Sequence, residues 1–218
     1  MLTSHGQLGS SGQPTGFWLE ELASPYYILK DAGFDLVLAS PKGGPSPIDP
    51  KSEEPSYQTE YTKRFKADPE AMKAVSSTKK LAEIDEGQFV GIFYPGGHGP
   101  LYDLANDSQN FWLLEKFSRA RKPIAAVCHG PAAFRKTPSI VKGFAVTGFS
   151  NAEEAQVGMD KLIPFALEDM LKENGARFTC GPAWTPHVIT DNNGLLITGQ
   201  NPASAAGVAL ELVKTLRG

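Results

Sequence analysis

Two apolar runs that do not alternate with polar residues constrain this chain most: 89–94 (Phe89, Val90, Gly91, Ile92, Phe93, Tyr94) and 123–127 (Pro123, Ile124, Ala125, Ala126, Val127). A strand with one wetted face alternates with period two, so an unbroken apolar run implies cover on both faces. Both runs stop at breaker-rich turns, the first at Pro95-Gly96-Gly97-His98-Gly99-Pro100 and the second at Cys128-His129-Gly130-Pro131. Further strands are predicted at 34–40, 145–147, 188–190 and 195–198, and helices at 18–31, 69–82, 108–121, 161–173 and 202–216. In the last helix Ala203, Ala206, Val208, Leu210 and Val213 supply an apolar face, and Asn174-Gly175 is a stop for the one before it. Strands alternating with helices of this length predict an α/β sandwich around a mostly parallel sheet. Such sheets place function at the C-terminal ends of their strands.

A chain of 218 residues, 41% hydrophobic, holds one well-buried core, so 1–218 is expected to be a single domain. Lys+Arg total 21 against Asp+Glu 24, and the longest basic runs are pairs such as Lys79-Lys80. That balance argues against a nucleic-acid surface, which needs a concentrated basic face. No long apolar stretch and no basic-then-apolar leader is present, so neither a membrane span nor secretion is expected. Two cysteines, Cys128 and Cys180, make no disulfide framework, and a reducing cytoplasmic setting is the simpler expectation. Segment 41–68 is polar, rich in breakers and longer than an ordinary connection. It reads either as a rim or lid over a site or as a surface insertion with short turns.

Cys128 is the leading candidate for chemistry. A strand delivers it to a sheet edge, while Gly130 and Pro131 permit a sharp turn and a helix start, the geometry of a nucleophile elbow. A helix N-terminus there is expected to lower the thiol pKa; the alternative is a small hydrophobe completing the core. His129 can act as a base only if the turn breaks strand alternation, with a carboxylate orienting its ring. Otherwise it is a structural histidine. Gly97, with His98, follows another apolar strand and can aim backbone N–H groups at a developing oxyanion; a plain glycine-rich turn has the same composition. Glu20 and Glu21 point about 100° apart on a helix, so one faces a pocket. Periodicity alone does not choose between them. His5, His98, His129 and His187 are scattered without compact metal spacing, so no metal and no cofactor is expected. His187 and Trp184 have ordinary rim or packing explanations.

Taken together, Thr3-Ser4-His5, Thr15 to Glu21, Leu38-Ala39-Ser40-Pro41-Lys42-Gly43-Gly44, Gly96-Gly97-His98-Gly99, Ala126 to Pro131, Thr147-Gly148-Phe149 and Thr198 to Ser204 run nearly end to end. In that order they resemble the DJ-1/ThiJ/PfpI superfamily, in particular its Hsp31-like branch. The resemblance implies a flavodoxin-like three-layer sandwich, a nucleophile at Cys128 and an adjacent histidine at His129. It also implies a glutamate of the first helix at Glu21 and an orienting acid at Glu154, with Glu153 as competitor. Gly97, His98 and Gly130 then fall to oxyanion stabilisation and substrate positioning. Relatives of this kind carry an apolar strand before Thr-Ser-His where this chain offers Met1-Leu2, so that strand is expected to be abbreviated or truncated here.

The implied reaction is a glutathione-independent, glyoxalase III-like conversion of methylglyoxal or a related 2-oxoaldehyde to a 2-hydroxy acid, with Glu21 relaying the proton. The partners implied are the small 2-oxoaldehyde, a second copy in a homodimer, and unfolded-protein clients. The rival readings are a cysteine amidase, peptidase or deglycase, which needs an open groove, and a stress-related holdase, which needs an exposed apolar patch.

Overall fold

In the computed structural model, which describes residues 1–218, α1 (Leu19–Asp31) leads to β1 (Ala39–Ser40), α2 (Glu60–Ala67), α3 (Pro69–Ser76) and β2 (Lys79–Lys80). β3 (Ile92–Tyr94), α4 (Ser108–Arg119) and β4 (Ile124–Val127) follow, then β5 (Ala145–Val146), α5 (Asn151–Val157) and α6 (Leu167–Glu173). The chain closes with β6 (Arg177–Phe178), β7 (Val188–Asp191), β8 (Leu196–Gly199) and α7 (Ala205–Arg217).

The central sheet has the order β3-β4-β8-β7, with β3, β4 and β8 parallel and β7 antiparallel to β8. Two short parallel pairs, β1-β2 and β5-β6, extend the arrangement. Every residue of β4 and β8 is buried, which is what their non-alternating apolar runs require. α7 packs on β4, β8 and α1, while α4 packs on β4. The result is a mixed α/β fold whose mostly parallel central sheet is flanked by helices. No helix is long and apolar enough to cross a membrane.

Several boundaries differ from expectation for local reasons. The 34–40 run joins a ladder only at Ala39 and Ser40, because β2 offers two residues to pair with. The 69–82 helix stops at Ser76, where Ser76 and Ser77 hydroxyls turn back onto the Lys73 carbonyl and Lys79-Lys80 pair with β1. The 161–173 helix begins only at Leu167, after Pro164. Two helices went unpredicted, α2 and α5, each opened by a reciprocal capping box, at Thr59/Thr62 and Ser150/Glu153.

The core divides into a larger cluster of 30 buried residues, including Cys128, and a smaller one of 10 that includes Phe17, Leu19, Leu22 and Phe65. Met1 and Leu2 lie between β1 and β3: the Leu2 N–H donates to the Ala39 carbonyl at 2.7 Å and the Met1 amine to the Phe93 carbonyl at 2.7 Å.

Candidate active site

β4 ends at Val127, and Cys128 takes a left-handed backbone conformation, φ 57°, before a 3₁₀ turn over Gly130–Phe134. A non-glycine residue there costs about 1–2 kcal/mol and persists only where surrounding contacts fix it. They do so here: the Cys128 N–H donates to the Gly199 carbonyl at 2.9 Å, and its carbonyl accepts from the Phe149 N–H at 3.0 Å. The turn breaks strand alternation, so His129 does not point away from Cys128. Its Nδ1 lies 3.3 Å from the Cys128 sulfur, and its Nε2 lies 2.6 Å from Glu154 Oε2. The carboxylate is shared, because His98 Nε2 lies 2.8 Å from the other oxygen, Oε1. The two imidazole rings are 4.4 Å apart. Glu154 stands on α5, whose capping box aims it inward.

Glu153, the competing acid, points elsewhere. It accepts from the Ser150 backbone and hydroxyl, the Trp184 N–H and the Asn201 amide, and so braces the loops around the site.

Glu21 comes from the first turn of α1 and is fully buried. Its Oε2 accepts from the Gly96 N–H at 2.6 Å, while Oε1 makes no well-formed hydrogen bond and its carboxyl couples to the Cys128 thiol. Glu20 points out to the Thr59 hydroxyl, at 2.5 Å. Helical geometry thus sends one carboxylate inward and one to the rim, as their angular offset requires. Gly96 makes this approach achievable: a Cβ there would sit 2.5 Å from the His129 backbone nitrogen, 2.7 Å from Glu21 Oε2 and 2.8 Å from Cys128 Cβ. Gly97 is left-handed at φ 84°, and its N–H and that of His129 are directed at the Cys128 sulfur. Gly130 lies beneath the turn, pressed against the Tyr94 carbonyl, and is absent from the cavity wall.

Electrostatics here are set by burial. Burial pushes the Glu21 carboxyl up from 4.5 to about 8, against the Cys128 and Gly96 hydrogen bonds. The Cys128 thiol is raised well above its ordinary value by burial and then by the Glu21 charge, with the Gly97 and His129 N–H groups opposing. This overturns the expected lowering of the thiol pKa. The element after Cys128 is a short 3₁₀ turn rather than an α-helix, and desolvation outweighs its N–H groups. Burial also holds His129 below its usual value, with Glu154 in partial opposition. For Glu154, burial works upward, but the charge and hydrogen bonds of His129 and His98 outweigh it and hold the carboxyl well below the usual range. Near neutral pH the site therefore holds a protonated Glu21 beside a thiol and, across it, an ionised Glu154 between two imidazoles.

A cavity of about 480 Å³ opens onto Cys128, His129 and His98. Trp18, Tyr57, Phe149, Met159 and Trp184 form much of its wall. Asp49, Pro50, Lys51, Glu54 and Tyr57 bring segment 41–68 to the rim, pinned by the Thr59 to Glu20 contact. These wall residues were not read as functional in the sequence, where Trp18 and Tyr57 stand 39 positions apart and only the fold brings them together. His98, His129 and Glu154 place three ligand atoms within 4.8 Å of one another, a grouping that scattered sequence positions do not show. These are the residues that could hold a metal ion, and in this structure the same atoms are hydrogen-bonded to one another. His5 stacks on Tyr102 and His187 approaches Thr179, both outside the cavity wall. Cys180 is exposed and unpaired with Cys128.

The DJ-1/PfpI family profile matches residues 14–215. The glutathione-independent glyoxalase HSP31 of Saccharomyces cerevisiae is 29% identical over 232 residues, covering 99% of this chain and 96% of its own. Among solved structures, the Rapid Encystment Protein 24 kDa of Francisella tularensis superposes with a TM-score of 0.92 at 34% identity, covering 99% of this chain and 96% of that one. Glyoxalase III of Candida albicans superposes with a TM-score of 0.87 at 27% identity, covering 98% and 94%.

Proposed function

The chain belongs to the DJ-1/PfpI family, and from that premise we propose that it is a glutathione-independent, glyoxalase III-like enzyme converting a 2-oxoaldehyde to a 2-hydroxy acid. One observation carries this reading: a buried carboxyl held protonated near neutral pH, Glu21, lies against the Cys128 thiol behind the cavity wall, and the same thiol meets the His129–Glu154 pair. A cysteine hydrolase needs the thiol and the imidazole, whereas moving a proton between adjacent carbons also needs an acid–base at the nucleophile.

In this mechanism His129, its ring fixed by Glu154, takes the Cys128 proton as sulfur adds to the aldehyde carbon, giving a hemithioacetal. The N–H groups of Gly97 and His129 stabilise the oxyanion. Glu21 gives its proton to that oxyanion and, now ionised, removes the C–H proton while His129 passes its own to the enediolate oxygen. Glu21 then delivers the proton to the neighbouring carbon and recovers one from the hydroxyl on the first, leaving a 2-hydroxyacyl thioester, a neutral His129 and a protonated Glu21. Water, activated by His129, then cleaves the C–S bond and frees the thiol. One carbon is oxidised, its neighbour is reduced and one water is added, so no external oxidant or reductant is needed.

The same proposal treats the turn at Cys128 as a nucleophile elbow, the layers as a flavodoxin-like sandwich forming one unit over 1–218, and a homodimer as the working assembly. The experiment is lactate formation from methylglyoxal without glutathione, alongside Cys128→Ala and Glu21→Gln. Turnover that survives in the Cys128 variant overturns the proposal. The cavity volume favours a second reading, hydrolysis of a larger acyl or glycated substrate. That activity would persist in Glu21→Gln and vanish in Cys128→Ala.

A further inference from the structure

The cavity over Cys128 is far larger than methylglyoxal. At about 480 Å³ it falls in the range that encloses drug-sized ligands, about 300–1,000 Å³, whereas methylglyoxal carries only a methyl group on its keto carbon. The wall constrains what fills the remaining space. No arginine lines it, Lys51 and Glu54 are exposed, and the Asp49 carboxylate already accepts from the Thr15 hydroxyl and the Lys51 N–H. An anionic tail therefore meets no buried cation, while an apolar one meets aromatic rings.

Those rings form two groups. Trp18 meets Tyr57 edge to face with centroids 5.0 Å apart, and the Trp18 N–H donates to the Gly96 carbonyl at 3.2 Å, which ties this group to the turn beside Glu21. In the other group Phe149 lies 4.5 Å from the His129 ring and meets Trp184 at 5.7 Å, so aromatic surface runs outward from the imidazole. Trp184 is fixed in place. Its backbone is left-handed, φ 65°, a conformation costly for a bulky residue and kept only where contacts enforce it. The buried Glu153 carboxylate accepts its backbone N–H at 2.9 Å, and Gln156 Oε1 accepts its indole N–H at 2.6 Å. Both nitrogens are thus tied to α5, yet the residue stays 44% exposed. Core packing does not account for a tryptophan held in a strained backbone and left half open; presentation of its ring to the cavity does.

Resting on the glyoxalase III-like reading of the site, we propose that these rings form an aromatic clamp, with Trp184 as its specificity-determining residue, which selects 2-oxoaldehydes bearing a planar apolar group on the keto carbon over methylglyoxal. The aldehyde carbon bonds to Cys128 and Glu21 lies behind the wall, so the keto substituent extends outward along Phe149 towards Trp184. A flat ring there gains over a methyl group in buried area and in contact with rings already held in place. Since that substituent lies away from the reacting atoms, the preference falls on KM more than on kcat.

The experiment compares initial rates with phenylglyoxal and methylglyoxal in the parent, Trp184→Ala and Trp184→Phe. The KM for phenylglyoxal is expected to be at least about tenfold lower than that for methylglyoxal in the parent, within about threefold of it in Trp184→Ala, and again clearly lower in Trp184→Phe. A variant that folds poorly loses both substrates together and leaves the ratio where it was. Binding is measured in parallel with 2-hydroxyacetophenone and hydroxyacetone, a phenyl and methyl pair that lacks the aldehyde, and the phenyl compound is expected to bind at least about tenfold tighter. Equal KM values and equal binding within each pair overturn the clamp while methylglyoxal turnover leaves the glyoxalase reading standing, and so does a ratio that Trp184→Ala does not change. Phenyl-selective binding that Trp184→Ala removes, without turnover of either aldehyde, supports the clamp and overturns the glyoxalase reading instead.

Discussion

Replacing Glu21 with Gln should change how stability depends on pH, by an amount that follows from burial. The carboxyl ionises at about 8 in the folded protein against an ordinary 4.5, so between those values the native state binds more protons than the unfolded chain. A group with a raised folded pKa contributes stability that is fully present below its unfolded pKa and is lost as pH rises towards the folded one. The loss is roughly 1.4 kcal/mol per pH unit. Between pH 5.5 and 7.5 the parent should therefore lose about 2–3 kcal/mol relative to Glu21→Gln, which does not titrate there. Urea unfolding of both proteins at the two pH values gives the quantity as a double difference, in which every other titrating group cancels. A Cys128→Ala background removes the coupled thiol. Parallel stability curves would refute the reasoning, since they would mean that Glu21 is ionised in the folded chain or open to water.

Glu154→Gln should lower kcat/KM by about 100-fold or more, because the amide cannot hold both imidazoles as acceptor-only groups; steady-state kinetics with circular dichroism separates this from unfolding. Glu153→Gln should instead lower the thermal midpoint through the Trp184 and Asn201 contacts while sparing kcat/KM within about threefold. Gly96→Ala should abolish turnover, since its Cβ would lie 2.5 Å from the His129 backbone nitrogen and 2.7 Å from Glu21 Oε2, and a crystal structure should show Glu21 or Cys128 displaced. Cys180→Ser should leave activity unchanged, because that thiol is exposed and outside the cavity wall.

The sheet was legible because burial on both faces writes itself into sequence as an unbroken apolar run, as in β4. The short strands β2 and β6 were not, since two residues such as Lys79-Lys80 carry no periodicity. Cys128 and His129 could be named from the turn that follows them. Their ionisation could not, because a thiol pKa depends on solvent exclusion and on a carboxyl more than a hundred positions away. The choice of Glu21 over Glu20 and of Glu154 over Glu153 needed family likeness, for adjacent residues on one helix turn differ only in what lies opposite. His98 shows the same limit from the other side. Nothing in Gly97-His98-Gly99 announces that its ring shares a carboxylate with His129.

The division of the core into two clusters has a dynamic consequence. Cys128 belongs to the larger cluster, whereas the first turns of α1 around Glu21 rest in the smaller one with Phe17, Leu19 and Phe65. Cys128 and Glu21 are thus anchored in different packing units, stitched by single bonds such as Trp18 to Gly96 and Gly96 to Glu21. A partial opening that loosens only the smaller unit would part the two groups while the sheet stays intact. Heat or denaturant should then silence the enzyme before it unfolds, leaving a population that is structured, inert and able to regain activity on cooling.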